Sequence, residues 1–180
     1  MSTYLAVGDR RLELTRGDIT TERVDAIGNA ANAALRGGGG VDGAVHRAAG
    51  SGLLEELRRR YPDGTPTGTA VATAGHDLPA RWVLHAVGPV WRGGGHGEEA
   101  LLAGAYRSSL ALADELGARS VDFPAISMGI YAYPPDEGAA VAVRAVIEHL
   151  RGETRVELVR FVLFSDDTFE VFEAALTALG

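Results

Sequence analysis

The alternation of apolar and polar positions divides the chain into short β-prone runs and longer helical stretches. Strands are expected at 3–7, 11–15, 24–29, 69–74, 82–87, 119–124 and 157–164. "WVLHAV" (82–87) and "RFVLF" (160–164) are nearly continuous apolar runs, as strands covered on both faces require. Helices show as apolar recurrence every three to four residues. Val41, Val45, Ala48 and Ala49 begin one that Gly50-Ser51-Gly52 interrupts. Leu53, Leu54 and Leu57 carry a second piece, and its "RRR" at 58–60 suits the negative end of a helix dipole. Leu102, Tyr106, Leu110, Ala113 and Leu116 form a stripe closed by Gly117. Ala139, Val143, Val146, Ile147 and Leu150 form another, capped by Asp136 and Glu137 and closed by Gly152. "DTFE" at 167–170 reads as a capping box for a last helix. Strands alternating with helices predict a three-layer α/β/α sandwich around a mixed, mostly parallel central sheet. Only a short turn separates the first two strands, so part of the sheet is antiparallel.

Composition narrows the chemistry. At 180 residues the chain reads as one domain spanning 1–180, with no apolar run of membrane-spanning length. The start, "MSTYLAVGDRR", lacks a basic segment followed by an apolar one, so no secretory signal is expected and a cytoplasmic location is the default. There is no Cys, which removes disulfides, thiolate nucleophiles and Cys-ligated zinc. All 17 basic residues are Arg, so Schiff-base chemistry and a P-loop Lys are excluded. With a net charge of −7 and no basic run, nucleic acid is an unfavourable partner. An anionic ligand would rely on backbone N–H groups and helix N-termini.

Three loops that follow strands carry the candidate chemistry. In "GNAANAALRGGGGVDG" (28–43), Asn29 and Asn32 are the only carboxamides of the whole chain. Glycines there let backbone approach a ligand, and a helix begins near Val41. Gly38, Gly40 and Gly43 match G-x-G-x-x-G, but the motif does not follow its strand directly, and Glu55 and Glu56 lie on a helix rather than at a second strand end. The dinucleotide reading is therefore rejected. In "PAISMGIYAYP" (124–134), the N–H groups around Ser127 and Gly129 suit phosphate, and Tyr131 and Tyr133 offer flat surfaces. Ser127 also resembles the Ser of a nucleophile elbow, for which His149 is the only downstream His. In "RGDIT" (16–20), Asp18 suits an N-cap. His46, His76, His85, His96 and His149 lack metal-ligand spacing, so no metal is expected, and His85 reads as a core residue with its nitrogens satisfied.

These loops, in this order, resemble the macrodomain family, and in particular the MacroD-type ADP-ribosyl hydrolases. The matching pieces are "GDIT" (17–20), "NAAN" (29–32), "GGGGVDGAVHRAAG" (37–50), "LPARWVLHAVGP" (78–89) and "FPAISMGIYAYP" (123–134). The resemblance implies a six-stranded mixed sheet with an ADP-ribose cleft along its top. It implies that Asp18 accepts from the adenine amino group with Ile19 nearby, and that Phe164 stacks on adenine. Gly39, Gly40 and Val41 would line one side of the diphosphate, with Ala31 beside them. Ser127, Met128, Gly129, Ile130 and Tyr131 would wrap the other side. Asn32 and Asp42 would face the distal ribose as the catalytic pair. Asn29 would tie the strand end to the glycine loop. The implied activity is metal-independent hydrolysis, with no cofactor, of O-acetyl-ADP-ribose and of mono-ADP-ribose esters on Asp or Glu side chains of proteins. The alternative is a noncatalytic ADP-ribose reader, and the Asn–Asp pair favours the enzyme. Four positions depart from the usual family pattern, namely Gly28, Thr65, Met128 and Ala132, and they bear on affinity and substrate choice.

Overall fold

The structure is a computed structural model that describes residues 3–180, so Met1 and Ser2 of the expected domain lie outside the described residues. Seven strands form one sheet: β1 (Thr3–Val7), β2 (Arg10–Arg16), β3 (Ala26–Ala30), β4 (Ala70–Ala74), β5 (Trp82–Ala86), β6 (Ser120–Phe123) and β7 (Leu158–Leu163). Their spatial order is β1-β2-β7-β6-β3-β5-β4. The five inner strands run parallel, and the edge strands β1 and β4 pair antiparallel with β2 and β5. The mixed sheet is as expected, but it has the seven strands of the hydrophobic pattern rather than six. The short turn after Val7 folds β1 back onto β2, in register from Val7↔Arg10 to Thr3↔Leu14.

Five helices cover the two faces: α1 (Gly40–Ala49), α2 (Ser51–Arg60), α3 (Glu98–Leu116), α4 (Pro135–Arg151) and α5 (Asp166–Leu179). The period-two alternation of the strands divides the core. Leu84 and Ala86 of β5 join the cluster under α3, α4 and α5, whereas Val83 joins the cluster under α1 and α2. Tyr106, Phe123, Phe161 and Phe172 form a buried aromatic ladder on the first side, with Phe161 and Phe172 ring centroids 4.8 Å apart. Such pairs contribute about 0.5–1.5 kcal/mol each beyond burial. Gly28 of β3 faces this ladder, and a Cβ there would lie 2.5 Å from Phe123 Cδ1. The ring of Phe123 occupies the space that a β-branched side chain would need.

Two local expectations shift. The last helix is capped not by Asp167 but by Ser165, whose Oγ accepts from Thr168 N at 3.2 Å, so it starts ahead of "DTFE". Both hydroxyls of this earlier Ser-x-x-Thr box face each other at 2.8 Å. Asp136 and Glu137 sit in the first turn of α4 without a side-chain cap bond, because Pro134 and Pro135 set the entry of the chain. Their carboxylates act there through the helix dipole.

Candidate functional site

Because the inner strands are parallel, their carboxyl ends share one edge, where open α/β sheets place ligands. A cleft of about 490 Å³ opens there. Ala31 and Asn32 enter it from the end of β3. Gly39, Gly40, Val41 and Asp42 form one wall, and Ser127, Met128, Gly129, Ile130 and Tyr131 the other. Phe164, just past β7, closes one end with 85% of its surface exposed. Ile130, also lining the cleft, is 89% exposed, so two large apolar side chains of the lining stand open to solvent.

The glycine loop brings Asn32 and Asp42 together. Helix α1 starts after Gly39 with no side-chain cap, which leaves its first N–H groups to the cleft. Asn32 Nδ2 donates to Gly37 O at 2.9 Å, and its Oδ1 accepts from Arg36 N at 3.4 Å. A Cβ on Gly38 would lie 3.3 Å from Asp42 Oδ2 and 3.7 Å from Asn32 Nδ2. Both polar ends thus flank one glycine. Gly43 makes the approach possible, because a Cβ there would sit 2.6 Å from Gly38 O.

Asp42 is only 5% exposed, and its Oδ1 is held from behind. Asn29 Nδ2 donates to it at 2.8 Å, and His46 Nε2 lies 3.3 Å away. Asn29 therefore ties β3 to the head of α1 rather than to the glycines themselves. Oδ2 is left on the Gly38 side.

The opposite wall is fixed by the core. Tyr106 of α3 is fully buried, and its hydroxyl accepts from Ile126 N at 3.0 Å and donates to Pro124 O at 3.3 Å. Burial pushes this phenol far above its ordinary range, so it stays protonated. Tyr133 N donates to Ser127 O, and Trp91 N to Tyr131 O at 2.8 Å. The Trp91 and Tyr133 rings pack 4.8 Å apart. Ser127 has φ 66° and Ala132 φ 58°, both left-handed. The Ser127 hydroxyl is buried without a protein partner. His149, the partner a Ser nucleophile would require, is bonded instead to Asp114 Oδ2 at 2.9 Å, at the amino end of the strands. Among the described residues no serine triad is assembled.

Asp18 and Ile19 lie beside the cleft rather than in its wall. Asp18 caps a single 3-10 turn, Ile19–Thr21, accepting from Thr20 N at 2.9 Å and Thr20 Oγ1 at 2.7 Å. Ile19 is buried against the α1 and α2 side of the sheet. Arg16 donates to Phe164 O at 3.0 Å and pairs with Asp166, which steadies the end of β7. His85 is a satisfied core residue as expected, between Asn29 and Thr73. Among the described residues no three His, Asp or Glu converge as metal ligands.

Sequence reasoning missed part of the lining. Gly88, Ala125 and Ile126 belong to the walls, as does Thr168 from α5. Gly88 directly follows "HAV" at the end of β5, and that position at a strand end is the signal that could have marked it. Glu98 was also missed. It folds the segment before α3 around its carboxylate, accepting from Arg92 N, Gly94 N and His96 N at 2.6–3.0 Å. Burial alone would raise its pKa, but these N–H donors outweigh it and hold it down to about 2.

A model of the Macro domain matches residues 28–142 of this chain. A macro domain-containing protein of Streptomyces griseus is 55% identical over 171 residues, which cover 92% of this chain and 94% of that one. A macro domain-containing protein of Caldanaerobacter subterraneus subsp. tengcongensis is 48% identical over 171 residues, covering 94% and 97%. Among solved structures, the Oceanobacillus iheyensis macrodomain with ADP superposes with a TM-score of 0.94 at 41% identity, covering 99% of this chain and 96% of that one. The Trypanosoma brucei macrodomain in complex with ADP-ribose gives a TM-score of 0.85 at 39% identity, covering 92% and 68%.

Proposed function

Because this chain belongs to the macro domain family, we propose that it binds ADP-ribose and hydrolyses mono-ADP-ribose esters, as a hydrolase of the MacroD type. The observation that carries this reading is that Asn32 and Asp42 line one cleft and both flank Gly38, just ahead of α1. The structural neighbours solved with ADP and ADP-ribose support the ligand. In a chain without Lys, the diphosphate is held by N–H groups of the glycine loop, of the first turn of α1 and of the Ser127–Tyr131 wall. Adenine lies toward Phe164 and Asp18, and the distal ribose toward Asn32 and Asp42.

The reaction splits an ester on the distal ribose with one water. Asp42 orients the water and takes its proton through Oδ2, while Asn29 and His46 hold Oδ1. The products are a free carboxylate and a free ribose hydroxyl, with the balancing proton on Asp42. Asn32 orients a ribose hydroxyl, since a neutral carboxamide can donate and accept without adding charge beside the diphosphate. General-base assistance of this kind contributes about 10²–10⁴-fold, and the rest comes from positioning and preorganised dipoles. Substrates are O-acetyl-ADP-ribose and Asp- or Glu-linked mono-ADP-ribosylated proteins, met in the cytoplasm, with no cofactor or metal. The test is acetate release from O-acetyl-ADP-ribose, followed by mass spectrometry, for wild type and Asn32→Ala. Release by wild type and a large loss in the variant are expected. Absence of release from a protein that binds ADP-ribose overturns the enzyme in favour of a reader.

A further inference from the structure

A chain of hydrogen bonds runs behind Asp42 to the far edge of the sheet. Asn29 and His85 sit opposite each other on β3 and β5, and Thr73 lies on the edge strand β4. Asn29 Nδ2 is 2.8 Å from Asp42 Oδ1 and 3.2 Å from His85 Nδ1. His85 Nε2 is 2.9 Å from Thr73 Oγ1. Thr73 Oγ1 donates its one hydrogen to Ala74 O at 3.0 Å. Asn29 and His85 are fully buried and Thr73 is 1% exposed, so no outside water offers an alternative partner.

The direction of every bond follows from the Asp42 end, where a carboxylate oxygen only accepts and so takes the Asn29 nitrogen. The same amide nitrogen faces His85 Nδ1 and donates to it, so the ring hydrogen is on Nε2 and Thr73 Oγ1 accepts it. Nδ1 then carries a lone pair and accepts from Asn29. The amide nitrogen of Asn29 has two hydrogens, one for His85 and one for Asp42, and both are used. A flipped amide would put Oδ1 against the lone pair of Nδ1 and against a carboxylate oxygen. Asn29 Oδ1 is left buried without a partner. That is a cost the chain bears to keep Nδ2 on Asp42.

We propose that Thr73 and His85 are positioning residues, which lock the amide of Asn29 with its nitrogen toward Asp42 and so aim the Asp42 carboxylate. The consequence for turnover rests on the hydrolase reading above, whereas the hydrogen-bond direction does not. Burial, together with His46 at a ring distance of 6.4 Å, holds His85 down to about 3 against the opposing pull of Asp42 and Glu56. His85 is thus held neutral around neutral pH, and the chain does not switch there.

The experiment is two-bond ¹H–¹⁵N correlation NMR of the His85 ring in the full chain, combined with turnover and ADP-ribose calorimetry of Thr73→Val and Thr73→Ser. In wild type the ring is expected neutral, with hydrogen on Nε2. Thr73→Val lowers kcat roughly tenfold, comparable with the smaller losses caused by removing the partner behind a ligand at metal sites. ADP-ribose affinity stays within about twofold, because the binding walls are untouched. Thr73→Ser, which keeps the hydroxyl, restores kcat. Hydrogen on Nδ1 in wild type, or a His85 protonated at neutral pH, overturns the proposal without any variant. So does an unchanged kcat in Thr73→Val, or an equal loss in both variants. A wild type with hydrogen on Nε2 but no turnover sinks the hydrolase reading and leaves the hydrogen-bond chain standing.

Discussion

Replacing Tyr106 by Phe removes a single oxygen from the core, and that oxygen anchors one wall of the cleft. The ring contacts survive, since Phe keeps the edge-on packing against Phe123 at 5.2 Å and Phe161 at 5.9 Å. What disappears is the acceptor for Ile126 N at 3.0 Å and the donor to Pro124 O at 3.3 Å. The longer bond contributes little, but a buried N–H left without a partner costs about 1–3 kcal/mol, so Tyr106→Phe should destabilise by about 2 kcal/mol. For 180 residues the entropy of unfolding is roughly 0.4 kcal/mol/K, and the melting temperature should fall by about 5 °C. Urea unfolding followed by circular dichroism measures the loss, and amide exchange at Ile126 measures its location. ADP-ribose affinity should weaken several-fold as the Pro124–Tyr131 wall loosens. A loss below about 0.5 kcal/mol with unchanged protection at Ile126 would refute the reasoning.

Gly43→Ala inverts the usual helix rule. Alanine in a helix is ordinarily favoured over glycine by about 1 kcal/mol. Here the added methyl meets Gly38 O at 2.6 Å, so the variant should lose about 1–2 kcal/mol and bind ADP-ribose more weakly, both measurable by unfolding and calorimetry. A variant that is more stable than wild type would contradict the packing. Ala132→Gly should do the reverse. Relief of the left-handed φ of 58° is worth about 1–2 kcal/mol and the added chain entropy costs about 0.4–1, leaving a gain of about 0.5 kcal/mol in thermal unfolding. Glu98→Gln tests linkage. The folded pKa, about 2, lies below the ordinary 4.5, so the charge stabilises above the unfolded value and its benefit is lost as pH falls from 4.5 toward 2. Melts at neutral pH should show the variant less stable, with the gap closing by pH 2, and a gap independent of pH would disprove the capping role.

The sequence made the architecture legible where apolar runs are long. "WVLHAV" and "RFVLF" became inner strands because a strand covered on both faces has no polar alternation to hide it. His85 was readable as a core residue even there, but its partners were not. Asn29, His85 and Thr73 meet only through the registers of three strands, and no local spacing encodes those. Gly28 is similar, since its meaning depends on Phe123 from a neighbouring strand. The early cap at Ser165 was missed because "DTFE" fits the same hydrogen-bond logic two residues later. Asn32 and Asp42 could be read together because one glycine loop carries both. Asp18 lies outside the cleft wall, with its Oδ1 engaged in capping the local turn.

The central claim is that Asp42 activates water on a bound ADP-ribose ester. It is tested most directly by single-turnover release of ADP-ribose from a Glu-linked mono-ADP-ribosylated protein, with wild type and Asp42→Ala compared at saturating enzyme. The account predicts release by wild type, at least about 100-fold slower release by the variant, and ADP-ribose affinities within a few-fold of each other by calorimetry. A wild type that binds ADP-ribose and releases none, or a variant that releases it as fast as wild type, would contradict it.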